Sequence, residues 1–207
     1  MSLIRFEQHL KDPYPAFRCH AAGDRSERIA WTARVTHEIG DPVSSADQKK
    51  LRSLLGNAGA EFLMFAKAHD GVQLYIDTLS DTVGVQIYRA AELEDRTEEM
   101  RQSMTNMGWE EENWPDWFKT GVTIGELPHS ANYFVLEREG EHAGKVFYAD
   151  HDDFQEEPLA DGFDLFLNMI VSDPPGFLYE RGCYARYSDG KTDKQWIPVE
   201  YVADARQ

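Results

Sequence analysis

Apolar residues in this chain recur with two different spacings, and each change of spacing marks an element. Ile29-Ala30-Trp31-Thr32-Ala33-Arg34-Val35 alternates with period two and predicts a strand, able to pair with Phe17 to His20 as a hairpin. Leu51, Leu54 and Leu55 then follow a helical spacing. Ser44 or Ser45 stands where a hydroxyl can accept a free backbone N–H, and Gly56-Asn57 ends the segment. A second helix is predicted from Ala58 to His69, burying Phe62, Phe65 and Ala66, and Asp70-Gly71 turns the chain into a strand from Val72 to Ile76. Val83 to Tyr88 reads as another strand. Ala90 to about Met104 reads as a long acidic helix with a weak apolar stripe.

The clearest stretch comes next. Val122 to Ile124, Tyr133 to Leu136 and Lys145 to Tyr148 are three successive strands. Tyr133-Phe134-Val135-Leu136 is apolar on both sides, the pattern of an interior strand, and Glu139 to Gly144 is its hairpin loop. Leu159, Phe163, Phe166, Leu167 and Ile170 are spaced by three and four and predict a core helix, with Pro158 in its first turn and Asp173-Pro174-Pro175-Gly176 as its stop. Cys183 to Val202 reads as a hairpin around Ser188-Asp189-Gly190-Lys191. Strands and helices in this order predict an α+β fold: a twisted, mainly antiparallel central sheet, helices mostly on one face, and strand extensions at both ends.

Composition adds to this picture mainly through charge. With 207 residues, 42% of them hydrophobic and 12% aromatic, the chain can build a core of its own. Its net charge of −16 is unevenly placed. Glu92 to Asp116 holds nine carboxylates against Arg96 and Arg101, and Val146 to Glu180 holds nine more with no Lys or Arg, so these two segments account for the whole excess. Charge placed this way makes a directional field that recruits a basic partner. It opposes binding to nucleic acid and to anionic membranes. The first turns carry Arg5, Glu7, Lys11 and Asp12, which leaves no apolar signal stretch, and no apolar run approaches membrane-spanning length. Cys19 and Cys183 read as reduced, buried thiols, and the expected location is the cytoplasm.

Catalytic chemistry is hard to seat. Gly56, Gly59, Gly121 and Gly125 have neither the spacing nor the Lys of a phosphate cradle, no Gly-x-Ser-x-Gly elbow occurs, and the cysteines lie in no zinc spacing. Asp150-His151-Asp152-Asp153 with Glu156-Glu157 is the best metal candidate, yet it lacks the mid-loop glycine and closing Glu of a calcium loop and reads as a solvated acidic loop. No catalytic residue, cofactor or metal is therefore expected. His69 reads as a cation at a helix C-terminus. The segment from Trp109 to Trp117 places three tryptophans among four acids, so Trp114 can be an aromatic anchor in an anionic patch, with Trp117 and Phe118 holding the loop to the core. The partner-binding set is then Glu110, Glu111, Glu112, Trp114 and Asp116 with Asp150, Asp152, Asp153, Glu156 and Glu157. Asp150 to Glu157 leaves a strand expected to lie near Trp117-Phe118, so the two acidic segments are expected to form one surface.

The order of features from about Leu55 to Val171 resembles the SUKH superfamily, which includes fungal cell-wall-assembly regulators and bacterial toxin-immunity proteins. Glu61 to Gly71 is similar to that family's opening helix and turn, and Ile87-Tyr88-Arg89-Ala90-Ala91-Glu92-Leu93 to its strand-to-helix passage. Ile124-Gly125, Tyr133 to Leu136 and Lys145 to Asp152 resemble its central strands, and Ala160 to Leu167 its final helix. Asp70 stands where the family has Asn, and Ser130-Ala131-Asn132 where it has a glycine-containing turn. The resemblance implies a core over 44–172 flanked by extensions over 1–43 and 173–207, and a protein-binding role without catalysis. It further implies an immunity-type inhibitor whose partner is a basic toxin of the nuclease or deaminase class. A regulatory scaffold for an endogenous protein fits the same residues. A metal- or carboxylate-dependent hydrolase centred on Asp150 to Glu157 is the rival from another class.

Overall fold

A computed structural model describes residues 2–11, 17–21, 30–128, 130–181 and 196–198. Its centre is a six-stranded antiparallel sheet in the order β3-β4-β5-β6-β7-β8, formed by Val35–Ile39, Val72–Asp77, Val85–Ile87, Val122–Leu127, Asn132–Leu136 and Val146–Ala149. A smaller three-stranded sheet joins the two ends of the chain. In it β1 (Phe17–Ala21) lies between β2 (Ala30–Ala33) and β9 (Trp196–Pro198), antiparallel to both. The helices are α1 (Ser2–Lys11), α2 (Ser45–Leu55), α3 (Ala60–Ala66), α4 (Leu93–Asn106), α5 (Asp116–Thr120), α6 (Phe163–Ser172) and α7 (Pro174–Tyr179). This is the α+β architecture that the hydrophobic pattern predicts. Among the described residues no helix is long and apolar enough to cross a membrane.

Local chemistry explains most boundaries. Ser44 caps α2 by accepting the Asp47 N–H at 3.1 Å, and Gly56 closes it at φ +57°, a conformation that side chains resist. Gly71, at φ +83°, turns the chain into β4, while the Asp70 carboxylate accepts the Ala90 N–H at 2.7 Å and ties that turn to the end of β5. The predicted hairpin of β1 and β2 forms in the register Phe17 opposite Ala33. Of the predicted Cys183 to Val202 hairpin only β9 is described, and its partner there is β1; the Cys19 and Cys183 side chains lie outside the described residues.

Two expectations need correction. The helix predicted from Leu159 begins at Phe163, because Ala160 exchanges two backbone hydrogen bonds with Val146 (2.9 and 3.1 Å) and adds a rung to the outer edge of β8. Gly162 offers no capping side chain, and Glu61 of α3 substitutes by accepting the Asp164 N–H at 2.9 Å. Asp173-Pro174-Pro175-Gly176 ends α6 but also starts α7: Asp173 caps the Gly176 N–H at 3.2 Å, and the two prolines occupy the first turn, where no N–H is needed.

Side chains on β6 to β8 alternate between two apolar clusters. Ile124, Phe134, Leu136, Val146 and Tyr148 join α1, α2, α3, α6 and α7 in the larger core, where Phe163 meets Phe62 and Phe65 edge-on at 4.9 and 5.2 Å. Val135, Phe147 and Ala149 point the other way, into a second cluster with Met100 and Met104 of α4 and Trp117 and Phe118 of α5. β7 is thus an interior strand packed on both faces, as its sequence predicts. The predicted boundary at 43 passes beyond β3, the edge strand of the main sheet, so the first forty residues contribute to that sheet as well as to the smaller one.

Candidate functional site

The two acidic segments meet around Trp109. This residue follows α4, and its indole N–H donates to the His151 carbonyl at 3.1 Å, across the gap between the segments. Phe154 returns from the acidic turn to bridge Ala149, and its ring packs against Trp109 at 4.6 Å, Phe118 at 4.7 Å and Trp117 at 5.8 Å. Trp117 in turn stacks on Phe147 of β8 at 4.7 Å with ring planes 7° apart. An aromatic floor therefore carries both acidic loops.

The turn after β8 is held by its own polar groups. Asp150 accepts the Asp152 N–H at 3.0 Å, and Asn132 Oδ1 accepts the backbone N–H of His151 at 3.1 Å. That N–H can only donate, which fixes which end of the buried Asn132 amide is oxygen, and the amide nitrogen donates to the Tyr148 hydroxyl at 2.7 Å. His151 Nδ1, 2.7 Å from that oxygen, must then carry a proton, leaving Nε2 turned toward Asp152 at 3.5 Å. Asp150, His151 and Asp152 bring one ligand atom each to within 4.8 Å of one another, a geometry with room for a cation.

Of the predicted partner-binding residues, Glu110, Glu111, Glu112 and Asp116 are exposed beside α5, and Asp152, Asp153, Glu156 and Glu157 are exposed after β8; Asp150 is half-buried. Trp114 departs from the expectation. It is 7% exposed and edge-on to Phe118 at 5.0 Å, because the 3₁₀ turn at Glu111–Asn113 swings its ring into the second cluster. It supports the surface from below and is no anchor for a partner. Two basic side chains nearby are used internally: Lys145 pairs with Asp161 at 3.1 Å, and Arg101 donates to the Lys119 carbonyl at 2.7 Å at the end of α5, while the Lys119 side chain is exposed. His69, expected as a helix-end cation, packs between Phe6 and Phe65, with Glu7 at 3.8 Å.

Sequence reasoning missed the Trp109–His151 junction, since nothing in spacing links residues 42 positions apart. It also missed a groove of about 310 Å³ on the half of the sheet that α4 and α5 leave open, lined by Glu38, Gln73, Gln86, Arg89 and Glu92 among others. The only signal for it was polar residues at alternate strand positions, which read equally as plain solvent-facing surface. No protein-family model matches this chain, and no curated protein matches it.

Proposed function

We propose that this protein is a non-catalytic binding module that recognises a basic protein partner through its acidic surface, in the manner of an immunity protein neutralising a basic toxin enzyme in the cytoplasm. The observation that carries the reading is the convergence of both net-acidic segments on Trp109 and Phe154. The exposed carboxylates Glu110, Glu111, Glu112 and Asp116 on one side and Asp152, Asp153, Glu156 and Glu157 on the other, drawn from the two runs that hold the excess charge, flank one aromatic floor. A field of one sign over one face raises the encounter rate with a cationic partner and repels polyanions such as nucleic acid. The SUKH-like order of elements supports the same class of function, and a regulatory scaffold would use the surface identically. Affinity capture with the full chain, followed by mass spectrometry, tests the proposal. It expects a protein of high isoelectric point whose retention falls when Asp150, Asp152, Asp153, Glu156 and Glu157 are replaced by Asn or Gln. Retention of a neutral or acidic partner, indifferent to those changes, overturns it.

A second reading rests on the 4.8 Å grouping of Asp150, His151 and Asp152. A hydrolase using a divalent ion there would bind calcium or magnesium measurably in calorimetry. The absence of heat on titration of either ion dismisses it.

A further inference from the structure

Among the described residues, the second face of the main sheet is covered by α4 and α5 over β6 to β8 and carries no helix over β3 to β5. Strand register places Glu38 opposite Gln73, Gln73 opposite Gln86, Gln86 opposite Glu126, and Glu126 opposite Tyr133. These residues form one row across five strands. Tyr133 packs against the second cluster, so the whole row lies on the α4 side of the sheet. Strands stand about 4.8 Å apart, so Glu38 to Glu126 spans roughly 14 Å. Glu126 accepts a hydrogen bond from the Tyr88 hydroxyl, while the side-chain amides of Gln73 and Gln86 make no hydrogen bond with the described residues. The groove above them has Glu38 on one rim and Glu92 on the other, where Glu92 also accepts the Arg89 N–H at 3.0 Å; the exposed Arg89 side chain lines it too, so its charged lining is two carboxylates and one guanidinium, net −1.

We infer that this groove is a second contact for the basic partner and takes arginine side chains from an extended segment of it. This rests on the proposal above that the partner is a basic protein. The two amide oxygens and the flanking carboxylates are acceptors for the forked N–H groups of a guanidinium, which a planar row of acceptors matches better than it matches a point charge. A sugar or a nucleobase would gain most from an aromatic ring to stack on, and none is among the described residues that line the groove. Glu94, Asp95, Glu98 and Glu99 of α4 are exposed, Glu99 paired with Arg96 at 2.9 Å, and this helix leads from Glu92 at the groove to Trp109, so one partner can reach both.

The test is a titration of ¹⁵N-labelled full-length protein with a Gly-Arg-Gly-Arg-Gly-Arg-Gly peptide, following the side-chain NH₂ signals of Gln73 and Gln86 and the backbone signals of 150–157. The inference expects saturable shifts of both glutamine signals, and at least tenfold weaker binding at the groove in Glu38→Gln and in Gln86→Leu. Both variants alter solvent-facing groups, and unchanged backbone spectra elsewhere will show that they fold. Shifts at 150–157 without movement of the glutamine signals overturn the groove while leaving the basic-partner reading intact. Shifts at the groove alone, unaltered when the five loop carboxylates are neutralised, support the groove and contradict the loop. Spermine matching the peptide at equal charge, or Glu38→Gln having no effect, shows ordinary counterion attraction and overturns the inference.

Discussion

His37 shows how one residue makes stability depend on pH. It sits at the irregularity between Thr36 and Glu38, where the β3–β4 ladder loses register and Tyr75 opposite adopts φ +57°. The Tyr75 N–H, deprived of a ladder carbonyl, donates to His37 Nδ1 at 3.1 Å. Nδ1 must be unprotonated to accept it. Burial, with a smaller contribution from nearby His9, lowers the His37 pKa to about 4. The folded pKa is below the unfolded one, so the contribution to stability is complete above about 6.5 and is lost as pH falls toward 4. The full shift corresponds to at most ~3 kcal/mol, less in proportion to the part of the ring that meets solvent. Urea titrations from pH 7 to pH 4 should therefore show a falling midpoint that flattens in His37→Asn, whose side-chain oxygen can still accept the N–H. An identical slope in that variant would place the pH dependence elsewhere. Ala131 offers a second test. It has φ +57° in the turn before β7, a conformation that glycine adopts more readily. A Cβ in that conformation costs about 1–2 kcal/mol, partly offset by the greater freedom of an unfolded glycine. Ala131→Gly should leave the thermal midpoint unchanged or raise it; a fall of several degrees would contradict the strain.

Among the elements, α6 carries the core. Phe163, Phe166, Leu167 and Ile170 are buried as their spacing predicts, with Phe166 against Phe134 at 4.7 Å. Phe163→Ala and Phe166→Ala should each cost roughly 3–5 kcal/mol, through lost transfer energy and the cavity left behind. A wild-type denaturant midpoint in either would contradict this packing. The turn at Asp150–Asp153 depends on Trp109 instead. Trp109→Phe keeps a ring against Phe154 but removes the bond to the His151 carbonyl, so it should cost about 1 kcal/mol and speed amide exchange at 150–153. Unchanged exchange there would show that the indole N–H does not hold the two loops. These cases also show what was legible beforehand. Periodicity located α6 because its buried face follows one helical repeat. Its start was misplaced because Ala160 pairs with Val146, a contact between residues that no local window connects. Trp114 was ambiguous for a similar reason. A tryptophan between acids looks alike whether its ring points out or in, and the 3₁₀ turn decides it. The weak stripe on α4 is real but narrow, with Leu93, Thr97, Met100 and Met104 on a single line.

For the molecule as a whole, the acidic segments were readable from the sequence, and their meeting was expected from the strand leading into Asp150. The side chains that join them were not foreseen. The open half-sheet was not foreseen either, because it depends on how far α4 and α5 extend over the second face. Charge at this scale acts mainly on association, since exposed carboxylates contribute through a field screened beyond ~8 Å at physiological salt, whereas a fully desolvated group would show in the dissociation rate. The direct measurement is the association rate of the captured partner by surface plasmon resonance at several salt concentrations. It compares the wild-type chain with the variant in which Asp150, Asp152, Asp153, Glu156 and Glu157 are neutralised. The proposed function predicts a wild-type rate that falls steeply with salt and a variant rate that is lower and flatter, with dissociation little changed. An association rate indifferent both to salt and to the five substitutions would contradict it.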